Sequence, residues 1–81
     1  MYEEINEPIE TAVHFKTGKA NPLAFRWQSR LFKVNKINLC HKFRLGNDLI
    51  YSYSVSTESD GNFKISFNPN NLSWILNQIY D

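Results

Sequence analysis

The sequence holds a single cysteine, Cys40, with only three glycines and three prolines among 81 residues. One cysteine excludes an internal disulfide framework. There is no C-x-x-C pair or H-x-x-x-H spacing, and Cys40 and His41, as neighbours in an extended chain, point to opposite faces. No metal site is therefore expected from them or from His14. No stretch approaches eighteen consecutive apolar residues, so no membrane-spanning helix is expected. The opening "MYEEINEPIE" is acidic where a signal peptide is basic and then apolar. Together these features predict a cytoplasmic protein without membrane attachment.

Catalytic signatures are also missing. There is no G-x-S-x-G elbow and no glycine-rich phosphate loop. Ser52, Ser54 and Ser56 recur at alternate positions, the pattern of a wet strand face, and Glu58 and Asp60 flank a turn, where acids favour solvent. Neither an enzyme nor a bound cofactor is expected.

Aromatic residues are abundant, at 15% of the chain. A chain this short buries only about 60–65% of its unfolded surface, and each aromatic carries a large apolar area into a small core. The net charge of +1 conceals segregation. Residues 1–10 hold Glu3, Glu4, Glu7 and Glu10. Residues 11–57 hold eight cations against the single carboxylate Asp48, a net of +7. Residues 58–81 hold Lys64 against Glu58, Asp60 and Asp81. A basic middle is the compositional mark of a polyanionic partner, and equally of exposed strand faces.

Hydrophobic periodicity of two dominates from Ile9 onward. Residues 1–8 lack it and end at Pro8, which predicts a flexible N-terminal arm followed by one domain over 9–81. Ile9, Thr11, Val13 and Phe15 share a face; Leu23, Phe25 and Trp27 share the next, after the turn cluster "TGKANP". "QSR" then forms a tight turn. From Leu31 to about Phe43 the phase changes: Phe32 and Val34 have one parity, while Ile37 and Leu39 have the other. A β-bulge seated at Asn35–Lys36 accounts for that change and bends the strand. "LGND" is a turn, Leu49 to Val55 alternates, and Asp60-Gly61 is the strongest short hairpin signal in the chain. Phe63, Ile65 and Phe67 follow. In "LSWILNQIYD", Leu72, Ile75, Leu76 and Ile79 fit an amphipathic helix, yet "NPNN" before it is turn chemistry compatible with a last strand.

Three groups of residues carry a resemblance. Gly18 ends the first strand; Pro22, Phe25, Trp27, Arg30 and Val34 follow at fixed spacing; Trp74, Leu76, Ile79, Tyr80 and Asp81 close the chain. In this the sequence resembles a family of small bacterial domains of unknown function, with a hairpin P-x-x-F-x-W-x-G-R-x-Y-x-V and a terminal W-x-L-x-x-V-Y-D. Ser29 stands where that family favours glycine and Phe32 where it favours tyrosine. The resemblance implies an all-β domain with its last segment paired to residues 62–68. Such domains are sometimes encoded near Y-family DNA polymerases, and no activity transfers.

The expected fold is thus all-β: about six antiparallel strands in meander order, strongly bent or closed into a small barrel. The alternative is α+β, five strands with a C-terminal helix over 71–80. The expected core is Val13, Phe15, Leu23, Phe25, Trp27, Phe32, Val34, Ile37, Leu39, Val55, Phe63, Ile65, Phe67, Trp74 and Leu76. In "PLAFRWQSRLFKV" this assigns the aromatics to the core and the cations to the wet side. Lys16, Arg26, Lys33 and Lys36 are the candidate nucleic-acid contacts, phosphate-binding cations on the outer face of the first three strands. A nucleic-acid-binding accessory module, alone or beside a DNA-handling protein, is one functional expectation; a protein–protein adaptor is the other.

Overall fold

The computed structural model describes residues 2–58 and 61–80. Asp60 of the Asp60-Gly61 hairpin signal and Asp81 of the terminal motif lie outside the described residues. Six strands run in chain order: β1 (Tyr2–Lys16), β2 (Lys19–Trp27), β3 (Arg30–Leu45), β4 (Asp48–Thr57), β5 (Asn62–Asn68) and β6 (Ser73–Tyr80). All neighbours are antiparallel, and β6 returns to pair with β1, closing a meander barrel. None of the described residues forms a helix long and apolar enough to cross a membrane.

The C-terminal segment is therefore strand, and its helical spacing is overridden by pairing on both sides. Phe63 sits opposite Ile79 and Phe67 opposite Trp74 on one edge, and Ile9 opposite Trp74 on the other. The expected loose arm over 1–8 is corrected in the same way. From Tyr2 it is the first half of β1, laddered to β6 from Tyr2↔Tyr80 to Ile9↔Trp74. A register shift between Glu4 and Glu7, with Asn6 at φ 53°, breaks the alternation that periodicity would have needed.

Two-residue turns join β1 to β2, β2 to β3 and β3 to β4. Trp27 pairs with Arg30 across Gln28 and Ser29, whose φ values of 52° and 62° both lie in the left-handed region. That is the combination a type I′ turn demands and glycine supplies most cheaply. Here the turn closes without one, because the ladder and the aromatic pair beneath it fix the register.

The barrel is filled by two aromatic groups. Phe25, Phe32 and Phe63 meet with ring centroids 5.1–5.2 Å apart. Phe67 stacks on Trp74 at 4.7 Å, with Tyr53 5.6 Å from the same indole. Val55, Ile65 and Leu76 lie fully buried with them. Trp27 is half-buried and donates Nε1–H to Glu7 Oε1 at 2.9 Å, while the Arg30 guanidinium caps the Phe32 ring at 4.9 Å.

Three expected core residues lie outside the core. Leu23 is 53% exposed because β1 and β2 pass from Ala12↔Ala24 to Val13↔Pro22, which leaves Leu23 as the extra residue of a bulge and puts Pro22 inside. Leu39 is 58% exposed because β3 carries two bulges, not one. The first, between Val34 and Lys36, lies where the phase change placed it. The second, between Ile37 and Leu39, turns Leu39 outward and Cys40 inward. Phe15 is 65% exposed since β1 has left β6 behind at Ile9, and its ring lies tilted against that of Phe67 at 6.4 Å.

Candidate nucleic-acid interface

The barrel is closed by hydrogen bonding only along part of each long strand. The β2–β3 ladder runs from Trp27↔Arg30 to Ala24↔Lys33 and stops. Beyond it, β2 from Lys19 to Leu23 pairs only with β1, and β3 from Val34 onward pairs only with β4. Each strand has a bulge next to the point of departure, at Leu23 on one side and Asn35 on the other. Bulges bend strands and increase their twist, so β2 and β3 diverge.

A cleft of about 700 Å³ opens between the diverging strands. Its sides are the turn residues Thr17–Asn21 and the β3 residues Ile37 and Cys40–Lys42, and Tyr51 and Tyr53 of β4 also line it. Cross-strand partners share a face, so Cys40 and Lys42, opposite Tyr53 and Tyr51, turn inward toward it. Arg44, two residues on, has the same orientation. On the other rim Lys19 stands directly opposite Lys16. None of the residues lining the cleft is acidic.

Tyr53 builds the cleft and Tyr51 furnishes it. The Tyr53 hydroxyl donates to the Ala20 carbonyl at 2.5 Å, tying the β1–β2 turn to β4. Burial pushes its pKa from 10.0 up to about 12, with Cys40 and Tyr51 adding to the shift. It therefore stays a neutral donor throughout the physiological range. Tyr51 is only half-buried, its ring 6.5 Å from Phe67.

At the neighbouring β3–β4 turn, Asp48 accepts from Asn68 Nδ2 at 3.0 Å and Asn70 Nδ2 at 2.5 Å. These bonds hold its carboxyl below the usual range and pin the β5–β6 loop to that turn. The "NPNN" asparagines are thus a structural clamp, and Asn68 and Asn71 also cap backbone N–H groups within their own loop.

The four candidate cations fall into separate neighbourhoods, though all are exposed. Arg26 lies between Glu10 and Leu31, and Lys33 lies opposite Ala24, so these two are diagonal neighbours on the outer face. Glu10 offsets one of the two charges. Lys16 lies four residues beyond Ala12 along β1, about 13 Å from that row, at the cleft rim with Lys19. Lys36 lies beyond the first β3 bulge, opposite Ser56 on the outer face of β3–β4.

Lys19, Lys42 and the two tyrosines are the cleft residues that sequence reasoning passed over. The signal for Lys42 was the second asparagine, Asn38, spaced to permit another bulge after Asn35. Tyr51 and Tyr53 belong to the alternating run Leu49 to Val55, but they were not among the expected core residues and nothing in their period marked their face as partly open. Compared with models of known protein families, with curated proteins and with solved structures, the chain matches none.

Proposed function

We propose that the protein is a non-catalytic nucleic-acid-binding module that acts in the cytoplasm beside a DNA-handling enzyme, with the β2–β3 cleft as its contact surface. One observation carries the reading. The cleft presents Lys19 and Lys42, flanked by Lys16 and Arg44, over tyrosine rings and without a carboxylate in its lining. Cations along a groove neutralise phosphates, and aromatic rings receive bases. Arg26 and Lys33 extend the positive surface onto the adjoining sheet face, and Lys36 onto the next. The resemblance to small domains encoded near Y-family polymerases supports the same direction.

The test is fluorescence anisotropy with labelled oligonucleotides over a salt series, comparing the wild type with Lys19→Gln/Lys42→Gln. Binding at low salt is expected, with affinity falling steeply as salt rises. Each phosphate contact to a single strand contributes about 0.7 to the log–log slope, so losing two contacts lowers it by about 1.4. Absence of binding at low salt, or an unchanged slope in the double variant, refutes the reading.

The second reading, a protein–protein adaptor, has its own observation. Leu39, Phe43 and Leu45 are exposed at alternate positions on β3, along a strand with one unpaired edge. A pull-down with the wild type that returns nucleic acid but no protein lost on Leu39→Ser/Phe43→Ser substitution counts against it.

A further inference from the structure

We infer that the cleft takes a single strand of nucleic acid with at least one base splayed into it, and does not take a duplex. This rests on the proposed function above and specifies its ligand.

Shape is the first reason. Proteins read a duplex with a convex element, an α-helix or a two-stranded ribbon that enters a groove about 12 Å wide. Here the cations line a recess. Its volume of about 700 Å³ lies within the ~300–1,000 Å³ typical of pockets that enclose small ring systems. The whole domain spans only 33 × 26 × 23 Å, so a duplex would lie across the rims without reaching Tyr51.

Among the described residues, the convex candidate at the β3–β4 tip is ill suited to a duplex. The β3–β4 ribbon extends beyond the β4–β5 ladder only from Phe43 to Ile50. The side chains on one face of that tip are apolar. At its turn stands Asp48, a carboxylate already committed to Asn68 and Asn70, which would meet the phosphates of any duplex the ribbon entered.

The lining itself is the second reason. Tyr53 is spent on structure, through Ala20 and the Trp74 ring, which leaves Tyr51 as the ring able to receive a base. On either side of it the divergence leaves β2 from Lys19 to Leu23 and β3 from Val34 onward without each other as ladder partners. On such strand edges the N–H and C=O of alternate residues point into the gap; on the β2 side the Ala20 carbonyl is already taken by Tyr53 and Pro22 has no N–H, so the β3 edge supplies most of the free groups. The remaining free donors and acceptors beside an aromatic ring match the Watson–Crick edge of an unstacked base, an edge that a paired base has already committed to its partner strand. The phosphates of the strand would then follow Lys19 and Lys16 on one rim and Lys42 and Arg44 on the other.

The single cysteine gives a local reporter. Cys40 is exposed and lines the cleft, so its rate of modification by a maleimide measures whether the cleft is filled. The experiment follows that rate and the anisotropy together, with oligo-dT, oligo-U and a duplex of equal length. The single strands, of either sugar, are expected to bind and to slow Cys40 modification severalfold, while the duplex leaves it unchanged. Tyr51→Ala should weaken single-strand binding about tenfold, the usual effect of losing one stacking ring, and Tyr51→Phe should restore it.

Three outcomes overturn the inference. A duplex that binds as tightly and protects Cys40 equally removes the single-strand preference but leaves the nucleic-acid reading standing. Single strands that bind without protecting Cys40, at an affinity indifferent to Tyr51→Ala, place binding outside the cleft. No binding by any oligonucleotide removes the proposed function and this inference together.

Discussion

Replacing Tyr53 by phenylalanine removes one oxygen and keeps the ring that packs on Trp74. Tyr53 is 3% exposed, and its hydroxyl is the donor to the Ala20 carbonyl at 2.5 Å. Leaving a buried acceptor without its donor costs about 1–3 kcal/mol. Ala20 is only partly buried, so water recovers some of that, and about 1–2 kcal/mol is expected. In a domain of this size each kcal/mol moves the melting point by about 4–8 °C, so the variant should melt roughly 5–15 °C lower.

The pH dependence supplies a sharper signature. Burial raises the Tyr53 pKa from 10.0 to about 12, so the folded state holds this proton more tightly than the unfolded chain does. The stabilisation is then complete below pH 10 and is lost as the pH rises through about 12. Tyr53→Phe has no proton to lose in that window. Urea unfolding followed by circular dichroism, at stepped pH from neutral to alkaline, should show the wild type more stable at neutral pH and the gap closing between pH 10 and 12. Equal stability at neutral pH refutes the hydrogen bond, and parallel curves across the window refute the burial of the hydroxyl.

Other substitutions test the frame around the cleft. Ser29→Gly relieves a left-handed residue at φ 62°, worth about 1–2 kcal/mol, less about 0.5–1 for the added freedom of the unfolded chain. A net gain of about 0.5–1 kcal/mol in a urea titration is expected, and a loss would mean that the Gln28–Ser29 turn is not left-handed. Phe25→Ala empties the centre of the Phe25–Phe32–Phe63 cluster and should cost about 3–5 kcal/mol, a large share of the roughly 4–12 kcal/mol of a domain this size. Leu39→Ser, on the outward side of the second bulge, should stay within about 0.5 kcal/mol. A reversal of these last two in thermal melts would mean that the β3 register is misassigned.

What was legible in the sequence was whatever a period of two can carry. Phe63, Ile65 and Phe67 alternate without interruption, and all three are core. Trp74 and Leu76 continue the alternation into β6, where turn chemistry at "NPNN" outweighs a helical spacing that no partner rewards. What was not legible lies one residue past a bulge. A bulge moves every later side chain to the other face, and the extra residue can fall on either strand of a pair. Leu23 shows this: its own strand reads as an unbroken alternation, and only the register against β1 reveals it as the extra residue. The start of the chain was misread for a similar reason, since the shift at Asn6 hides a strand that β6 nonetheless pairs.

The same irregularities create the candidate site. Were β2 and β3 regular, their ladder would continue past Ala24↔Lys33, the inward faces of Cys40 and Lys42 would close over Tyr51, and the barrel would be sealed. Because Leu23 and Asn35 are extra residues on the two strands at the point of departure, both strands bend there and the ladder ends. Asn38 then turns Cys40 and Lys42 inward rather than Leu39. The second bulge thus exchanges an apolar residue for a cation in the lining of the gap opened by the first. Asn35 and Asn38 are exposed and would pass as ordinary solvent-facing polar residues, yet together they make the barrel open on this side and make the opening basic.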